Sequence, residues 1–400
     1  VIYARVGINM QIKNRVNVKI ESIAFGGEGV ARVNNFVVFV AFAAPGDELE
    51  VEIVQRKKKF ARAEIIKIIK PSEGRIEPLC RYYGHCGGCC YQHLKYEMQL
   101  AVKKKQVIDA FEKIGGIAAP PVHEIIASPK IYHYRGKAQL HAAQEADGQK
   151  LGFMDVSGAD VVNIERCEIV DETINEKIEI LRRDKLSEER GEGGYTIWSG
   201  VCGVRTEKKE TIARVVKEKD FLVPQEGFFQ ANLYLTDRLV DEVCRAAAVE
   251  KIDTLVDAYC GSGLFSVLLS PFARNVIGIE QDDKAIECAW LNSSRAGVKN
   301  IDFLCGRVEK ILPGVFLSAK NKTNVILLDP PRTGCGPSVL QAIAFSRPRK
   351  IVYVSCNPAT QARDVKYLTG QGYELTALLP LDMFAQTQHV EVIGVLEAER

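Results

Sequence analysis

Residues 327–360, LLDPPRTGCGPSVLQAIAFSRPRKIVYVSCNPAT, constrain this chain more than any other stretch. Two apolar strands are expected here, Val325–Leu328 and Ile351–Val354, and each ends on polar groups. The first delivers Asp329 and the stiff Pro330-Pro331-Arg332, and the second delivers Ser355-Cys356-Asn357-Pro358. In an open parallel sheet, ligands bind just outside the carboxyl ends of the strands, so a carboxylate and a thiol are presented to one crevice. A lone free cysteine is more often a small buried hydrophobe than a reagent. A chemical role for Cys356 is argued from its company: a glycine-rich turn upstream, a carboxylate downstream and a cysteine cluster near the front.

The upstream turn belongs to a strand–helix–strand alternation that begins near residue 252. Asp253–Ala258 reads as a strand, Tyr259-Cys260-Gly261-Ser262-Gly263 as a turn into a helix through Leu269, and Ala273–Ile279 as a second strand ending on Glu280. A Gly-x-Gly turn after a strand lets backbone approach a ligand at a helix start. Glu280 lies 19 residues after Gly261, close to the roughly 20-residue spacing at which an acid meets a ribose hydroxyl. A dinucleotide fingerprint would need a third glycine, but Ser266 stands there. The shortened turn suits a cofactor without a pyrophosphate, and S-adenosylmethionine fits. Further strands at Ile301–Leu304, Val325–Leu328, Ile351–Val354, Leu375–Leu379 and Val390–Leu396 complete a doubly wound α/β sheet.

The front of the chain has a different rhythm. Short β segments, Val16–Ile20, Gly29–Val33, Phe36–Val40, Glu48–Val54 and Ala63–Lys70, alternate with Gly and Pro-Gly-Asp turns, the pattern of a small OB-type barrel. Residues 1–70 hold 12 Lys and Arg against 7 Asp and Glu, although the whole chain carries only +2. Five of the bases fall in Arg56-Lys57-Lys58-Lys59 and Arg62. Such a face binds phosphates or simply guards an edge strand. The pattern SIAFGGEGVAR…FVVFVAFAAPGDELEVEI resembles the TRAM domain of RNA-modifying proteins, which favours RNA binding. Val1 is not an initiator and Met10 opens the regular pattern, so the first nine residues read as an extension or an arbitrary start.

Hydrophobic content of 46% and charged content of 26% are those of an ordinary soluble protein. No stretch reaches the roughly 18 apolar residues of a membrane span, and no secretory leader is visible at the front. A cytoplasmic protein, a monomer without membrane attachment, is expected. Twelve cysteines in such a compartment argue against a disulfide framework. Three of them form Cys80-x5-Cys86-x2-Cys89, with Cys90 adjacent and pointing away. A zinc ribbon would want a second close pair, and downstream there is only the lone Cys167. Cys80, Cys86, Cys89 and Cys167 are therefore assigned to a four-iron four-sulfur (4Fe-4S) cluster rather than to zinc. The spacing differs from the C-x3-C-x2-C of radical enzymes.

Between the two regions, residues 93–115 form a long amphipathic helix with Gly115-Gly116 as its stop, and 130–220 returns to β character with a glycine-rich loop at 191–194. His133 and His141 read as ordinary surface or core residues. Tyr132, Tyr134, Arg135 and Lys137 are weak candidates for RNA contact.

Taken together, the motifs resemble the RNA 5-methyluridine (uracil-C5) methyltransferase family. The likeness covers nearly the whole chain: the front barrel, C-x5-C-x2-C, Phe228-Phe229-Gln230-x-Asn232, D-x-Y-C-G-x-G, D-P-P-R, S-C-N-P and, thirty-five residues after Cys356, the glutamate of H-V-E. The resemblance implies Cys356 as nucleophile and Glu391 as general base. It also implies Gln230, Tyr259, Gly261, Glu280 and Asp329 as cofactor and base-binding positions, and the four named cysteines as cluster ligands. At Leu264 many relatives carry Asn beside the cofactor, so that position is left out of the site. The barrel and cluster together resemble the 23S ribosomal RNA branch more than the transfer RNA branch.

The chemistry implied is covalent catalysis. Carbon 5 of uracil is a weak nucleophile, and addition of a thiolate to carbon 6 makes an enolate able to take a sulfonium methyl. A base then removes the carbon 5 hydrogen and the thiol leaves. Asp329 would hold the uracil edge. The base must be single-stranded or flipped out, with Phe228 and Phe229 as stacking candidates or core, and Arg332 and Arg363 as phosphate contacts or plain surface charge. Three other readings stand against this. The same chemistry acts on a transfer RNA uridine; or the enzyme methylates an exocyclic nitrogen, for which an aromatic residue rather than Arg332 would follow D-P-P; or the chain is an RNA-binding iron–sulfur protein with an inactive methyltransferase domain. The expected architecture is a TRAM/OB-like barrel (1–70), a central iron–sulfur β domain (71–226, its helix 93–115 packing on the catalytic domain), and a Rossmann-like class I methyltransferase domain of α/β type (227–400).

Overall fold

A computed structural model describes residues 11–145, 148–183, 193–199, 211–247, 252–318 and 323–399. Met10 and the residues before it lie outside the described residues, as do Gly191 and Glu192 of the expected glycine loop. The chain divides into two compact units, Val1–Gln106 with Gly152–Ile164 and Gln386–Gln388, and Val107–Leu151 with Glu165–Ala385 and His389–Arg400.

The first unit contains a six-stranded sheet running, edge to edge, Arg15–Lys19, Glu48–Arg56, Phe60–Lys70, Phe36–Val40, Gly29–Val33 and Ser22–Ile23. Strict alternation explains it: Leu49, Val51 and Ile53 point inward with Val16, Val18, Val38, Val40, Ala61 and Ala63, while their neighbours face water. Asp47 is fully buried behind this core and paired with Arg75 at 2.6 Å. Burial alone would raise its pKa, but the Arg75 hydrogen bond and the Ser72 and Ala44 amides outweigh that and hold it below the ordinary value.

The expected helix runs over Tyr96–Ala110 and closes in a wide π-type turn, Phe111–Gly115, capped by Gly116 at φ +74°. Its buried stripe is not wholly apolar: Gln99, Val102, Lys103, Gln106 and Val107 are buried, whereas Ala101 is exposed. The buried amide nitrogens are paired, while Gln106 Oε1 has no hydrogen-bond partner. Gln99 Nε2 donates to Leu94 O at 3.0 Å and to Gln386 Oε1 at 2.9 Å, and Gln106 Nε2 donates to the Tyr91 hydroxyl at 2.9 Å.

In the second unit a seven-stranded sheet carries the site. Its strands are β1 (Ile252–Ala258), β2 (Ala273–Glu280), β3 (Ile301–Cys305), β4 (Thr323–Leu328), β5 (Lys350–Ser355), β6 (Tyr373–Leu381) and β7 (Glu391–Ala398), in the order β3-β2-β1-β4-β5-β7-β6. The first five are parallel, and β7 inserts antiparallel between β5 and β6. Helices α1 (Leu264–Leu269), α2 (Asp283–Arg295), α3 (Val308–Ser318), α4 (Pro337–Ser346) and α5 (Pro358–Thr369) follow the parallel strands in turn. The middles of the central strands are largely apolar because both sheet faces are covered. Leu255, Val276, Leu327, Val352 and Val354 pack on one side, and Val256, Ala258, Ile279, Ile326, Leu328 and Tyr353 on the other. Each such fully buried side chain contributes about 1.5–3 kcal/mol, so the strand ends are held firmly.

Candidate active site

The site is built at the carboxyl edge of β1, β2, β4 and β5, where the parallel strands leave off. Ser355 is the last residue of β5 and pairs with Val392 of β7. That antiparallel register brings Cys356, one step further, alongside Glu391, the first residue of β7. Ser355 Oγ and the Asn357 backbone exchange bonds of 3.1 and 3.2 Å, turning the chain sharply. The Asn357 side chain then caps α5 by accepting from the Ala359 amide.

Cys356 is half-buried and its thiol is pushed up to about 11, first by burial, then by the charges of Glu391 and Asp329, with Arg332 opposing. Arg332 also hydrogen-bonds the thiol and lies 3.4 Å from His389 Nε2. Glu391 is buried, and desolvation followed by the charge of Asp329 holds its carboxyl well above its ordinary value. Asp329 is raised to about 7 by burial and then by Asp257. Asp257, near the end of β1, is likewise raised to about 7 by burial, against a 2.5 Å hydrogen bond from Ser266. A row of three carboxyl groups, Asp257, Asp329 and Glu391, thus carries fewer than three charges, because like charges in a dry site cannot all ionise.

On the other side of this row lie the residues expected to meet a cofactor. Tyr259 takes φ +69° and Gly261 φ +52°. A Cβ placed on Gly261 would meet nothing within 4 Å, so the turn opens onto free space. Gly263 is required for packing, since its Cβ would press on Ala289 and Phe303 at 3.1 and 3.2 Å. Glu280 is held by backbone amides: Oε2 accepts from Gly261 at 3.2 Å, and Oε1 accepts from Gln281 at 2.6 Å and Asp282 at 3.0 Å. A cavity of about 280 Å³ opens between Tyr259, Glu280, Gln281, Arg307, Glu309 and Pro331. Open space over Gly261, a carboxylate fixed by three amides and the buried Asp257 Oδ1, which has no hydrogen-bond partner, fit a nucleoside with a charged amino-acid arm.

The structure therefore gathers Cys356, Glu391 and Asp329 on one flank and Tyr259, Gly261 and Glu280 on the other. Gln230 is buried on the segment leading into the helix Thr236–Ala247. Its two phenylalanine neighbours separate: Phe229 is core, 6.4 Å from Phe221, while Phe228 is 74% exposed. Arg363 is engaged internally, donating to Thr333 O and to Asp364. His133 pairs with Glu172 at 3.0 Å. Two participants were missed by sequence reasoning. Asp257 was quoted only as a motif letter, though a carboxylate inside an apolar, doubly covered strand is costly enough to ask for a purpose. Arg332, expected as a phosphate contact or plain surface charge, is exposed and also bears on the Cys356 thiol.

The metal expectation is not met in the same way. Among the described residues, no group of three or more His, Cys, Asp or Glu side chains is placed to hold a metal ion. Cys86 feels the charge of Cys80, and its sulfur accepts from the Gly88 amide at 3.4 Å, whereas Cys89 and Cys90 bear on Tyr83. Cys167 donates its amide to Asn175 Oδ1 at 2.9 Å. Burial raises the Cys86 thiol above its ordinary value. No chemical step is derived through a cluster.

Comparison with known proteins bears on this geometry. The model of the tRNA (Uracil-5-)-methyltransferase family matches residues 207–400, and that of the TRAM domain matches residues 12–66. Uncharacterized RNA methyltransferases of Clostridium tetani and Gloeobacter violaceus are 33% and 34% identical, over 94% and 96% of this chain and 95% and 96% of their own. The chain belongs to the RNA uracil-C5 methyltransferase family. Among solved structures, the Pyrococcus abyssi tRNA (uracil-54, C5)-methyltransferase in complex with S-adenosyl-L-homocysteine superposes with a TM-score of 0.72 at 26% identity, covering 95% of this chain and 100% of its own. As a member of the family the chain is an S-adenosylmethionine-dependent enzyme whose partner is RNA. No helix among the described residues is long and apolar enough to cross a membrane.

Proposed function

We propose that this methyltransferase works through a covalent bond between Cys356 and carbon 6 of the target uracil, and that its substrate is a uridine of 23S ribosomal RNA. The observation that carries the mechanism is the β5–β7 register, which stands the Cys356 thiol beside the buried Glu391 carboxyl, with Arg332 against the sulfur.

Bound S-adenosylmethionine supplies an electrophilic methyl group. Glu280, Gly261 and Tyr259 would line its nucleoside end and Asp257 its amino-acid end. Cys356 adds as thiolate to carbon 6, and Arg332 favours that form by its positive charge. Asp329, raised to about 7, is able to donate a hydrogen bond to the uracil edge where enolate charge develops. After carbon 5 has taken the methyl group, Glu391 removes its hydrogen, the carbon 5–carbon 6 double bond re-forms and Cys356 leaves. The balance is 5-methyluridine, S-adenosyl-L-homocysteine and one proton. Gln230 is assigned to the base-binding side and the exposed Phe228 to stacking on RNA.

The ribosomal choice rests on the resemblance of a front barrel combined with Cys80-x5-Cys86-x2-Cys89. A transfer RNA uridine is the second reading, favoured by the Pyrococcus abyssi enzyme, a transfer RNA methyltransferase that covers 95% of this chain. Nucleoside mass spectrometry on unmodified RNA fractions separates them: 5-methyluridine gained only in large ribosomal RNA supports the first, and a gain only in transfer RNA replaces it with the second. The 4Fe-4S cluster on Cys80, Cys86, Cys89 and Cys167 is a separate proposal from spacing. Anaerobically purified protein that is brown with about four irons supports it, and colourless, iron-free protein rejects it.

A further inference from the structure

The loop after β4 and the first two turns of α5, with its cap, are laced together by four side chains, those of Asn357, Thr360, Arg363 and Asp364. The Arg332 carbonyl accepts from Asn357 Nδ2 at 3.0 Å and from Thr360 Oγ1 at 3.1 Å. The Thr333 carbonyl accepts from the Arg363 guanidinium at 3.0 Å. The Cys335 amide donates to Asp364 Oδ2 at 2.8 Å, and the same oxygen accepts the Tyr353 hydroxyl at 2.7 Å. Gly334 passes so close, at φ +77°, that a Cβ there would sit 2.5 Å from Asp364. Asn357 directly follows Cys356, so the lacing ties the backbone of Arg332 to the turn that carries the thiol.

The side chain of Arg332 is exposed. A long, solvated guanidinium has many rotamers and spends little time on any one partner. Its presence at the thiol therefore depends on where its own backbone is held. We propose that Thr360, together with Asn357, is a positioning residue that fixes the Arg332 carbonyl and so keeps the guanidinium against the Cys356 sulfur during attack. This rests on the reading of Cys356 as nucleophile. The single hydroxyl proton of Thr360 is shared between the Arg332 and Asn357 carbonyls, each at 3.1 Å, whereas the isosteric valine has nothing to donate.

The test follows the alkylation of the Cys356 peptide by iodoacetamide across pH, using mass spectrometry on the full chain. T360V should raise the midpoint by about half to one pH unit, which lowers the neutral-pH rate about three- to tenfold, and T360S should restore the wild-type midpoint. In an R332Q background T360V should add nothing, because the residue acts through Arg332. An unchanged midpoint in T360V, or a shift that persists undiminished with R332Q, overturns the proposal. T360A serves if T360V does not fold, with the same expectation. Methyl transfer surviving in C356A would instead remove the nucleophile reading while leaving the midpoint shifts intact, so the two failures are distinguishable.

Discussion

Cys356 and Glu391 meet because Ser355 pairs with Val392 across the antiparallel seam of β5 and β7. Neither strand alone makes a site. The parallel strand delivers the thiol at its carboxyl end, and the antiparallel one delivers the carboxyl at its start, so both fall on the same edge of the sheet. Their juxtaposition also works against ionisation of the thiol, which sets the first expectation.

The Cys356 thiol, pushed up to about 11, is almost wholly protonated at neutral pH. Its alkylation rate should climb about tenfold per unit between pH 7 and 10 and level off only near 11. E391Q removes a charge that raises the thiol and should move the midpoint down; R332Q removes one that lowers it and should move it up. Midpoints that do not move in opposite directions would break the electrostatic account.

Asp257 makes the folded protein sensitive to rising pH between about 4 and 7. In the unfolded chain it titrates near 4, and in the fold burial holds it to about 7. Between these values the folded state binds the extra proton, so the contribution is fully present below 4 and is lost as pH rises through 7. Urea midpoints at pH 5 and pH 8 should therefore differ less in D257N than in the wild type. An equal difference would mean that Asp257 does not titrate as described.

Gln361 is fully buried at the back of the site, and its Nε2 donates to Tyr353 O at 2.8 Å and Val392 O at 3.1 Å, bridging β5 and β7. Q361L keeps the bulk and removes the donor, and should cost about 1–3 kcal/mol. Equilibrium urea unfolding measures it. A loss below about 0.5 kcal/mol, the size of an ordinary surface change, would show that the bridge does not hold the seam.

Much of this was legible in the residues. Val325–Leu328 and Ile351–Val354 read as strands because a parallel sheet covered on both faces needs uninterrupted apolar runs, and the structure lengthens each only slightly. Gly261 and Gly263 announced the turn, and both take positive φ. The insertion of β7 between β5 and β6 was not legible, since strand order is decided by packing among distant segments rather than by local pattern. Nor was the place of Arg332: nothing in D-P-P-R says whether the guanidinium points to solvent or to the sulfur. The helix Tyr96–Ala110 also buries Gln99, Lys103 and Gln106, which look like surface residues until their surroundings are known. The two phenylalanines 228 and 229 could not be told apart in a segment without periodicity, and only one is core.

The most direct measurement of the central claim is the intact mass of the protein after incubation with S-adenosylmethionine and RNA carrying 5-fluorouridine, followed by denaturation. Fluorine cannot be removed as a proton, so wild-type protein should remain joined to methylated RNA through Cys356, and C356A should show no conjugate. Methyl transfer by C356A, or efficient turnover by the wild type with no conjugate at all, would contradict the covalent mechanism.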